Sequence, residues 1–416
     1  MHNPLEPIVI TGVGVLACNG TGRVPFWKAI EDGVSGIGPI NRFDASDLPC
    51  QIAGQLPDFD ANDYLKASDV RRWHRFVHQA LASAQLAVDD SEFEGAGYPP
   101  ERIAVAMGTS IGSLDENYEH ALDVYNEHGW KKVDKLTSSA SSGHSPTANV
   151  SARFGFRGPA STIGTGCTTG LEVISWGCDQ IRRGLADAAV VGTTEAPLSK
   201  PTFTASCAMG ILSKRNDEPH KAMRPFDTSG DGLVLSEAAA TIILERAGAA
   251  KARGARILGE FAGYGAASEG GSTVLLERSG ATLARAVQTA LAAGGLEPTD
   301  IDCAHCHGVS LMMYDQCETK AYKQALGKHA YRIPITANKS MIGQAYSAGG
   351  MLSVVTALMT LNTGIVPPTI NLEDPDPRCD LDFVPLRARR NDVNSVLVST
   401  LSFGGTHGAA ILRNLN

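Results

Sequence analysis

Short apolar strands alternate with helices along the chain, and this order constrains the fold more than any other feature of the sequence. β-branched and small apolar runs predict buried strands at residues 7–13, 102–108, 188–192, 239–244, 257–265, 301–307, 333–337, 396–401 and 408–412. Helical spacing of apolar residues predicts helices at 24–31, 70–87, 281–293, 316–326 and 347–361. Because such alternation is typical of sheets that are covered by helices, we expect an α/β fold.

The second half of the chain repeats patterns of the first half. A Gly-rich loop leads into an apolar helix at 164–170 and again at 343–350. The segment RPFDTSGDGLVLSEAAATIILE at 224–245 resembles RNDVNSVLVSTLSFGGTHGAAILR at 390–413, each read as turn, strand, small-residue link and strand. We therefore expect a duplicated α/β unit with a functional site at the junction of the two halves.

Composition and charge exclude several classes of protein. An apolar fraction of 43% excludes a disordered chain, and a net charge of -8 without any long Lys/Arg run argues against nucleic-acid binding. The most apolar segment, 351–361, is interrupted by Ser353 and Thr356, so we expect no membrane span or membrane partner. The N-terminus lacks a secretory pattern, and nine cysteines without framework spacing predict reduced thiols in a cytoplasmic enzyme.

The segment TGCTTG at 165–170 places a cysteine at the start of a predicted helix. The N-terminus of a helix stabilises a thiolate, so we expect the pKa of Cys167 to be lowered. The flanking glycines permit a sharp turn that exposes sulfur and leaves backbone N–H groups free for a substrate carbonyl. The pattern predicts that Cys167 is a nucleophile. The alternative is a small buried cysteine that packs against the start of the helix.

Two other motifs are weaker. GVGVLA at 12–17 matches a dinucleotide-binding pattern, but CNG at 18–20 interrupts the helix that this pattern requires. We therefore interpret Gly12 and Gly14 as a tight turn that ends the first strand.

CAHCH at 303–307 resembles a metal cluster, but side chains on a strand alternate between faces and no second motif completes a site. We expect no metal there, and we take His307 at the end of its strand as a candidate catalytic residue.

Six collinear segments carry a resemblance to a known family: GTGCTTG, RPFDTSGDGLVLSEAAA, CHGVS, NKSMIGQAYSAGG, VPPTINLEDPDPRCDLDFVP and SFGGTHG. Over nearly the whole chain they resemble β-ketoacyl-[acyl-carrier-protein] synthases of the type I/II class, which includes polyketide ketosynthases. The resemblance implies a thiolase-like fold, in which two duplicated halves form five layers, αβαβα. We expect the first half at 1–252 to carry Cys167, and the second half at 253–416 to carry His307, Lys339 and Gln344.

The resemblance also implies roles for individual residues. Cys167 falls on the nucleophile that accepts an acyl chain, and His307 on the first active-site histidine. Lys339 and Glu318 fall on a buried charge pair near the site, although an ordinary ion pair fits them as well. The backbone N–H groups of Cys167 and Leu401 would form the oxyanion hole. The implied chemistry uses no metal and no redox cofactor, because the substrates are carried on phosphopantetheine.

Several positions depart from the pattern of the family. Gln344 replaces the second active-site histidine; its amide cannot carry a positive charge but can donate a hydrogen bond. Val309 and Leu311 stand where two threonines usually bind the phosphopantetheine arm. We therefore expect weaker decarboxylation and altered recognition of the arm.

Further departures lie in the segment that usually gates the site. Leu401 replaces the gating phenylalanine two residues before Phe403, and His407 replaces an asparagine. Glu269 lies in the loop where the family usually has a D-x-x-H segment. Because the changes cluster at the site while the other motifs survive, they indicate a specialised synthase of polyketide or fatty-acid-like biosynthesis.

The predicted function is decarboxylative Claisen condensation of a Cys-bound acyl chain with a malonyl-type thioester. The alternatives are a non-condensing acyltransferase and a silent partner subunit that resembles a chain-length factor. The predicted partners are an acyl carrier protein and a second subunit, in a homodimer or in a heterodimer with a ketosynthase-like chain. Candidate docking residues for an acidic carrier protein are basic, and each could equally be a solvated surface charge: Arg71 and Arg72, or Lys214 and Arg215.

Overall fold

The computed structural model describes residues 6–112 and 116–415, and most of its strands belong to one large mixed sheet. The strands are β1 (Ile8–Ala17), β2 (Gly20–Thr21), β3 (Ile37–Pro39), β4 (Ile52–Gly54), β5 (Ile103–Gly108), β6 (Ala160–Ile163), β7 (Ala188–Glu195), β8 (Ala238–Arg246), β9 (Gly259–Ser268), β10 (Cys303–His305), β11 (Ile335–Thr336), β12 (Ile365–Val366), β13 (Arg389–Arg390), β14 (Ser395–Leu401) and β15 (Thr406–Arg413). The helices are α1 (Arg23–Glu31), α2 (Ala67–Arg72), α3 (Arg75–Asp90), α4 (Glu116–His128), α5 (Thr137–Ser141), α6 (Ser145–Phe154), α7 (Thr169–Arg182), α8 (Lys200–Ala208), α9 (Ala247–Ala252), α10 (Ala281–Gly294), α11 (Met312–Leu326), α12 (Lys339–Ile342) and α13 (Tyr346–Thr363).

The large sheet consists of two arrays with the same strand order. The first array reads β6-β5-β7-β8-β1 and the second reads β11-β10-β14-β15-β9. In both arrays the first three strands are parallel and the last two strands join in antiparallel fashion. A short antiparallel pairing of β1 with β9 joins the arrays. The boundary predicted at 252/253 falls between α9 and β9 and stays a prediction.

Helices separate and cover the two arrays, which gives the expected five layers. α7 and α13 pack against each other between the arrays, α3 covers the first array from outside, and α10 covers the second. Gly170 permits the two central helices to approach closely, because a Cβ atom there would lie 2.5 Å from the Met351 backbone nitrogen. α13 is buried along most of its length, which explains why it is largely apolar in sequence, and its interrupting Ser353 and Thr356 both bond the buried Asn338 side chain.

The N-terminal glycines do not form the turn that we expected. β1 continues through Gly12 and Gly14 to Ala17 and is buried throughout. A Cβ atom on Gly14 would lie 1.9 Å from the Ser83 carbonyl oxygen, and one on Gly12 would lie 2.5 Å from the Ala87 oxygen. The glycines are therefore required because α3 packs directly on the strand, and the turn interpretation is wrong.

Two further expectations differ from the structure. The helix expected at 70–87 is divided, because Trp73 and His74 adopt extended backbone conformations between α2 and α3. The first of the two strands expected within 224–245 is also absent, because the segment at 233–236 makes only isolated bridges. The second strand, β8, pairs with the earlier strand β7. In the part of the chain that the structure describes, no helix is both long and apolar enough to cross a membrane.

Candidate active site

Cys167 lies in a short turn between β6 and α7, at the junction of the two halves. Gly166 has a φ of 66°, and a Cβ atom there would lie 1.9 Å from the Ser402 hydroxyl oxygen. The Cys167 backbone N–H donates to that same hydroxyl oxygen at 3.0 Å. On the other side, the Ser110 hydroxyl donates to the Gly166 carbonyl at 2.8 Å. A close fit of side chains from both halves therefore holds the turn.

The thiol of Cys167 is buried, and this decides its ionisation. Burial raises the pKa of Cys167 to about 11, and the carboxylate of Glu195 acts in the same direction. The positive charge of Lys339 and the hydrogen bond with Ser402 lower the pKa of the thiol, but they do not offset burial. The lowered pKa that we expected from the helix N-terminus is thus wrong, and the resting side chain of Cys167 is a thiol.

Gln344 contacts Cys167 directly. Its side-chain Nε2 donates to the Cys167 Sγ at 3.3 Å, and its Oε1 makes no hydrogen bond to any residue that the structure describes. Residues of the first half hold its backbone: the N–H donates to the Val234 carbonyl at 2.8 Å, and the carbonyl accepts from the Ser236 N–H at 3.0 Å. The amide is therefore fixed beside the sulfur in the place where the family pattern has a histidine.

His307 follows the end of β10 and is fixed through its backbone. Its N–H donates to Glu318 Oε1 at 2.7 Å, and its carbonyl accepts from the Lys339 ammonium at 2.9 Å. The ring Nδ1 has no partner among the described residues. Burial, assisted by the nearby Lys339 and His407, holds the pKa of His307 well below its usual range, so the ring is neutral.

Lys339 and Glu318 flank the backbone of His307, and no hydrogen bond between the two is present in the described structure. The second Glu318 oxygen accepts from the Gly308 N–H at 2.9 Å, and Oε1 also accepts from the Ser399 hydroxyl at 2.6 Å. Burial raises the pKa of Glu318 and lowers the pKa of Lys339, while each charge partly offsets the shift of the other. The two groups therefore hold the backbone of His307 from both sides.

The gate residues form the end of the β14–β15 hairpin. Leu401 is buried and lies opposite His407 in the hairpin, and the ring of Phe403 lies 5.2 Å from the ring of Tyr314. His407 Nε2 lies 2.7 Å from Glu269 Oε1, and both side chains are buried. Two departures from the family pattern that lie far apart in sequence thus form one contact.

Val309 and Leu311, which stand where the family usually has two threonines that bind the phosphopantetheine arm, differ in burial. Val309 is buried in an apolar cluster, and its N–H donates to Asp315 at 3.0 Å. Leu311 is half-buried and immediately precedes α11 as its N-cap residue. Neither side chain offers a hydrogen bond, in agreement with the sequence.

The CAHCH segment divides its side chains between layers. Cys303 packs in the central core and Cys306 in the outer core beside α10 and α11. No group of three metal-binding side chains was found among residues 6–112 and 116–415.

Sequence reasoning missed three serines that contact the site. Ser402 holds the Cys167 N–H, Ser110 holds the Gly166 carbonyl, and Ser347 lies in the first turn of α13. Ser402 belongs to the SFGGTHG motif and could have been found there. Ser347 likewise belongs to the NKSMIGQAYSAGG segment, whereas Ser110 lies outside the six segments and its contact with Gly166 joins parts of the chain that are distant in sequence.

Comparison with known proteins gives a consistent result. A family model for the β-ketoacyl synthase N-terminal domain matches residues 5–250, and the C-terminal domain of the same family matches residues 258–373. A 3-oxoacyl-[acyl-carrier-protein] synthase 2 of Coxiella burnetii is 35% identical over 97% of this chain and 98% of its own length. An oxytetracycline polyketide putative β-ketoacyl synthase 1 of Streptomyces rimosus is 37% identical over 97% of this chain and 96% of its own.

A solved structure agrees with these relatives. It is described as AntDE:AntF, a type II polyketide synthase acyl-carrier protein in complex with its ketosynthase bound to the hexaketide. It superposes with a TM-score of 0.90 at 29% identity, over 99% of this chain and 100% of the matched chain.

Proposed function

Because the chain belongs to the β-ketoacyl synthase family, whose members are condensing transferases of fatty acid and polyketide synthesis, we propose that it is an acyltransferase that performs decarboxylative Claisen condensation. The observation that carries the proposal is the 3.3 Å contact between the Gln344 amide and the Cys167 sulfur. It places a hydrogen-bond donor beside the atom that must carry the acyl group.

In the first step, the Cys167 sulfur attacks the carbonyl of an acyl thioester. The C–S bond to the donor breaks, and the thiol proton leaves with the departing pantetheine thiol. The oxyanion that forms in between needs backbone donors. The Ser402 hydroxyl, which accepts from the Cys167 N–H at rest, can turn away and leave this N–H to the oxyanion, and the Leu401 N–H is the proposed second donor.

In the second step, a malonyl-type thioester loses CO₂ and leaves an enolate. The enolate carbon attacks the acyl carbonyl on Cys167, the C–S bond to Cys167 breaks, a β-ketoacyl thioester leaves, and the released Cys167 thiolate takes a proton from water to restore the thiol. We assign the Gln344 amide N–H and the neutral His307 ring as donors to the enolate oxygen. Lys339 and Glu318 orient His307 through its backbone. The steps use no metal and no redox cofactor.

The proposed partner is an acyl carrier protein that presents both substrates on phosphopantetheine. Such a partner is acidic, so docking on a chain with net charge -8 needs a local basic surface. Arg71 and Arg72 are exposed at the end of α2 and line a cavity of about 490 Å³ together with Arg42, Arg75 and Lys132. This cluster is our first candidate for docking.

Lys214 and Arg215 are the weaker docking pair. Lys214 is exposed, but the Arg215 guanidinium donates to the Ser229 carbonyl at 3.2 Å and lies among acidic neighbours of its own loop.

We further propose that the chain works as a homodimer or with a second ketosynthase-like subunit in the cytoplasm.

The experiment measures CO₂ and product from purified protein supplied with acyl-carrier-bound acyl and malonyl groups. The proposal expects CO₂ and a β-ketoacyl product in equal amounts. Acyl transfer to another nucleophile without CO₂ would favour the non-condensing acyltransferase. Failure of Cys167 to react with cerulenin or iodoacetamide, under conditions that label an active synthase, would favour the silent subunit.

A further inference from the structure

Glu195 is a buried acid that the mechanism does not use. It is the last residue of β7 and is fully buried. No lysine or arginine forms an ion pair with it in the described parts of the chain. Burial raises its pKa to about 7, although the hydrogen bonds that the carboxylate accepts lower that pKa. An acid that is buried without a cation is costly, so its contacts require an explanation.

The partners of Glu195 are neutral donors from two different segments. Oε1 accepts from the Ser110 backbone N–H and from the Ser347 hydroxyl, the latter at 2.5 Å. Oε2 faces the Thr109 hydroxyl at 3.4 Å. A single carboxylate oxygen therefore joins the loop after β5 to the first turn of α13.

Each of these two segments contacts one reacting group. The Ser110 hydroxyl donates to the carbonyl of Gly166, which precedes the nucleophile. Ser347 lies three residues after Gln344, and α13 has no side-chain cap of its own at its N-terminus. A carboxylate at this position also satisfies the positive end of the helix dipole. Glu195 thus links the turn that carries Cys167 to the helix start that carries the amide.

We propose that Glu195 is a positioning residue, which holds the Cys167 turn and the Gln344 segment in the register that keeps the amide beside the sulfur. It acts through Ser110 and Ser347 and touches neither reacting group. The inference rests on the proposed function only for its kinetic readout. The geometric link itself is independent of which reaction the site performs.

Three variants separate positioning from charge and from general stability. Glu195→Gln keeps one carbonyl oxygen for Ser110 and Ser347 and removes the negative charge, and Glu195→Ala removes both. Glu245→Gln is the matched control, because Glu245 is equally buried but binds Arg253 and Thr11 at the opposite end of the β7–β8 pairing from Glu195. Each variant is measured for acylation of Cys167 in a single turnover, for alkylation of Cys167 by iodoacetamide at pH 8.5, and for thermal unfolding.

For Glu195→Ala, the rate of alkylation is expected to rise and the rate of acylation to fall. Because the Glu195 charge disfavours the Cys167 thiolate, both Glu195 variants should alkylate about threefold faster than the wild type. Because Ser110 would no longer be held and would no longer fix the turn that carries Cys167, Glu195→Ala should acylate at least about 10-fold more slowly, whereas Glu195→Gln should acylate within about threefold of wild type. Glu245→Gln should change neither rate.

A merely structural role predicts a different pattern. If Glu195→Ala lowers acylation and alkylation together, in proportion to its loss of thermal stability, the proposal is wrong. It is also wrong if Glu195→Ala acylates within twofold of the wild type. Alkylation needs no acyl substrate and neither readout needs CO₂ release. A chain that fails to condense but shows the expected pattern would therefore refute only the proposed function.

Discussion

The starts of α7 and α13 occupy equivalent places in the two arrays, but they contribute to the site in different ways. At α7 the backbone N–H of Cys167 binds a side-chain hydroxyl, that of Ser402. At α13 the backbone of Gln344 is locked on both sides by backbone groups of Val234 and Ser236. In both cases the anchoring residue comes from the other half of the chain.

The different anchoring allows the two helix starts to serve different steps of the proposed reaction. A hydroxyl can turn away, so the N–H at the start of α7 is available to a substrate oxygen. The backbone hydrogen bonds of Gln344 with Val234 and Ser236 cannot turn away in this manner. The start of α13 therefore contributes through the Gln344 side chain. We infer that the α7 end serves the acyl carbonyl and that the α13 end serves the enolate, and this inference makes the two ends separable by mutation.

The largest expected effect comes from a substitution at the start of α7. Cys167→Ala removes the atom that carries the acyl chain, so condensation should fall by at least about 1,000-fold. The measurement is β-ketoacyl product formed per minute, with thermal unfolding as the control for folding. Condensation at a tenth of the wild-type rate or more in this variant would mean that Cys167 is not the nucleophile.

The next largest effect is expected at the start of α13 and distinguishes its role from that of the start of α7. Gln344→Ala removes one donor to the enolate, so condensation should fall by about 100-fold. Acylation of Cys167, measured by mass spectrometry in a single turnover, should stay within about threefold. Gln344→Asn is the matched control, because a shorter amide should retain part of the rate. Equal losses in acylation and condensation would contradict the division between the ends.

A stability measurement tests the packing that brings the ends together. Gly170→Ala inserts a methyl group 2.5 Å from the Met351 nitrogen, so the free energy of unfolding should fall by about 1–3 kcal/mol. Gly95→Ala is the control, because its Cβ atom would meet nothing within 4 Å, and it should change stability by less than about 0.5 kcal/mol. Denaturant titration gives both values; equal effects would show that the helices can separate at little cost.

The smallest expected effect concerns the pH dependence of the α7 end. Because the pKa of Cys167 is raised to about 11, iodoacetamide alkylation should increase about tenfold per pH unit between pH 7 and 10. Lys339→Met removes a charge that lowers this pKa, so the variant should react several-fold more slowly at the same pH. A rate that is already constant above pH 8 would mean that the thiolate is formed at rest.

Much of the fold could be predicted from sequence, because apolar periodicity directly reports which segments are buried. The glycines of β1 show where this reasoning fails. Gly12 and Gly14 look locally like a turn, and the fact that decides their role is the packing of α3, whose residues lie about 70 positions further along the chain. Local patterns do not record such contacts.

The candidate site was partly predictable for a related reason. Cys167, His307 and Gln344 lie in motifs that carry the family resemblance, and the structure places the Gln344 amide against the Cys167 sulfur. The contact between His407 and Glu269 was not foreseen, although both residues were noted as departures. The raised pKa of Cys167 was also missed, because burial is a property of the assembled halves and not of the helix start.

The most direct test of the account follows one acyl group through the site. Cys167 is first loaded with an acyl group in the absence of extender, and a malonyl thioester is then added while the acyl-Cys167 peptide and released CO₂ are quantified by mass spectrometry. The account predicts that the adduct forms on Cys167 and disappears after the addition, with one CO₂ released per β-ketoacyl product. An adduct that persists on Cys167 without release of CO₂ would contradict it.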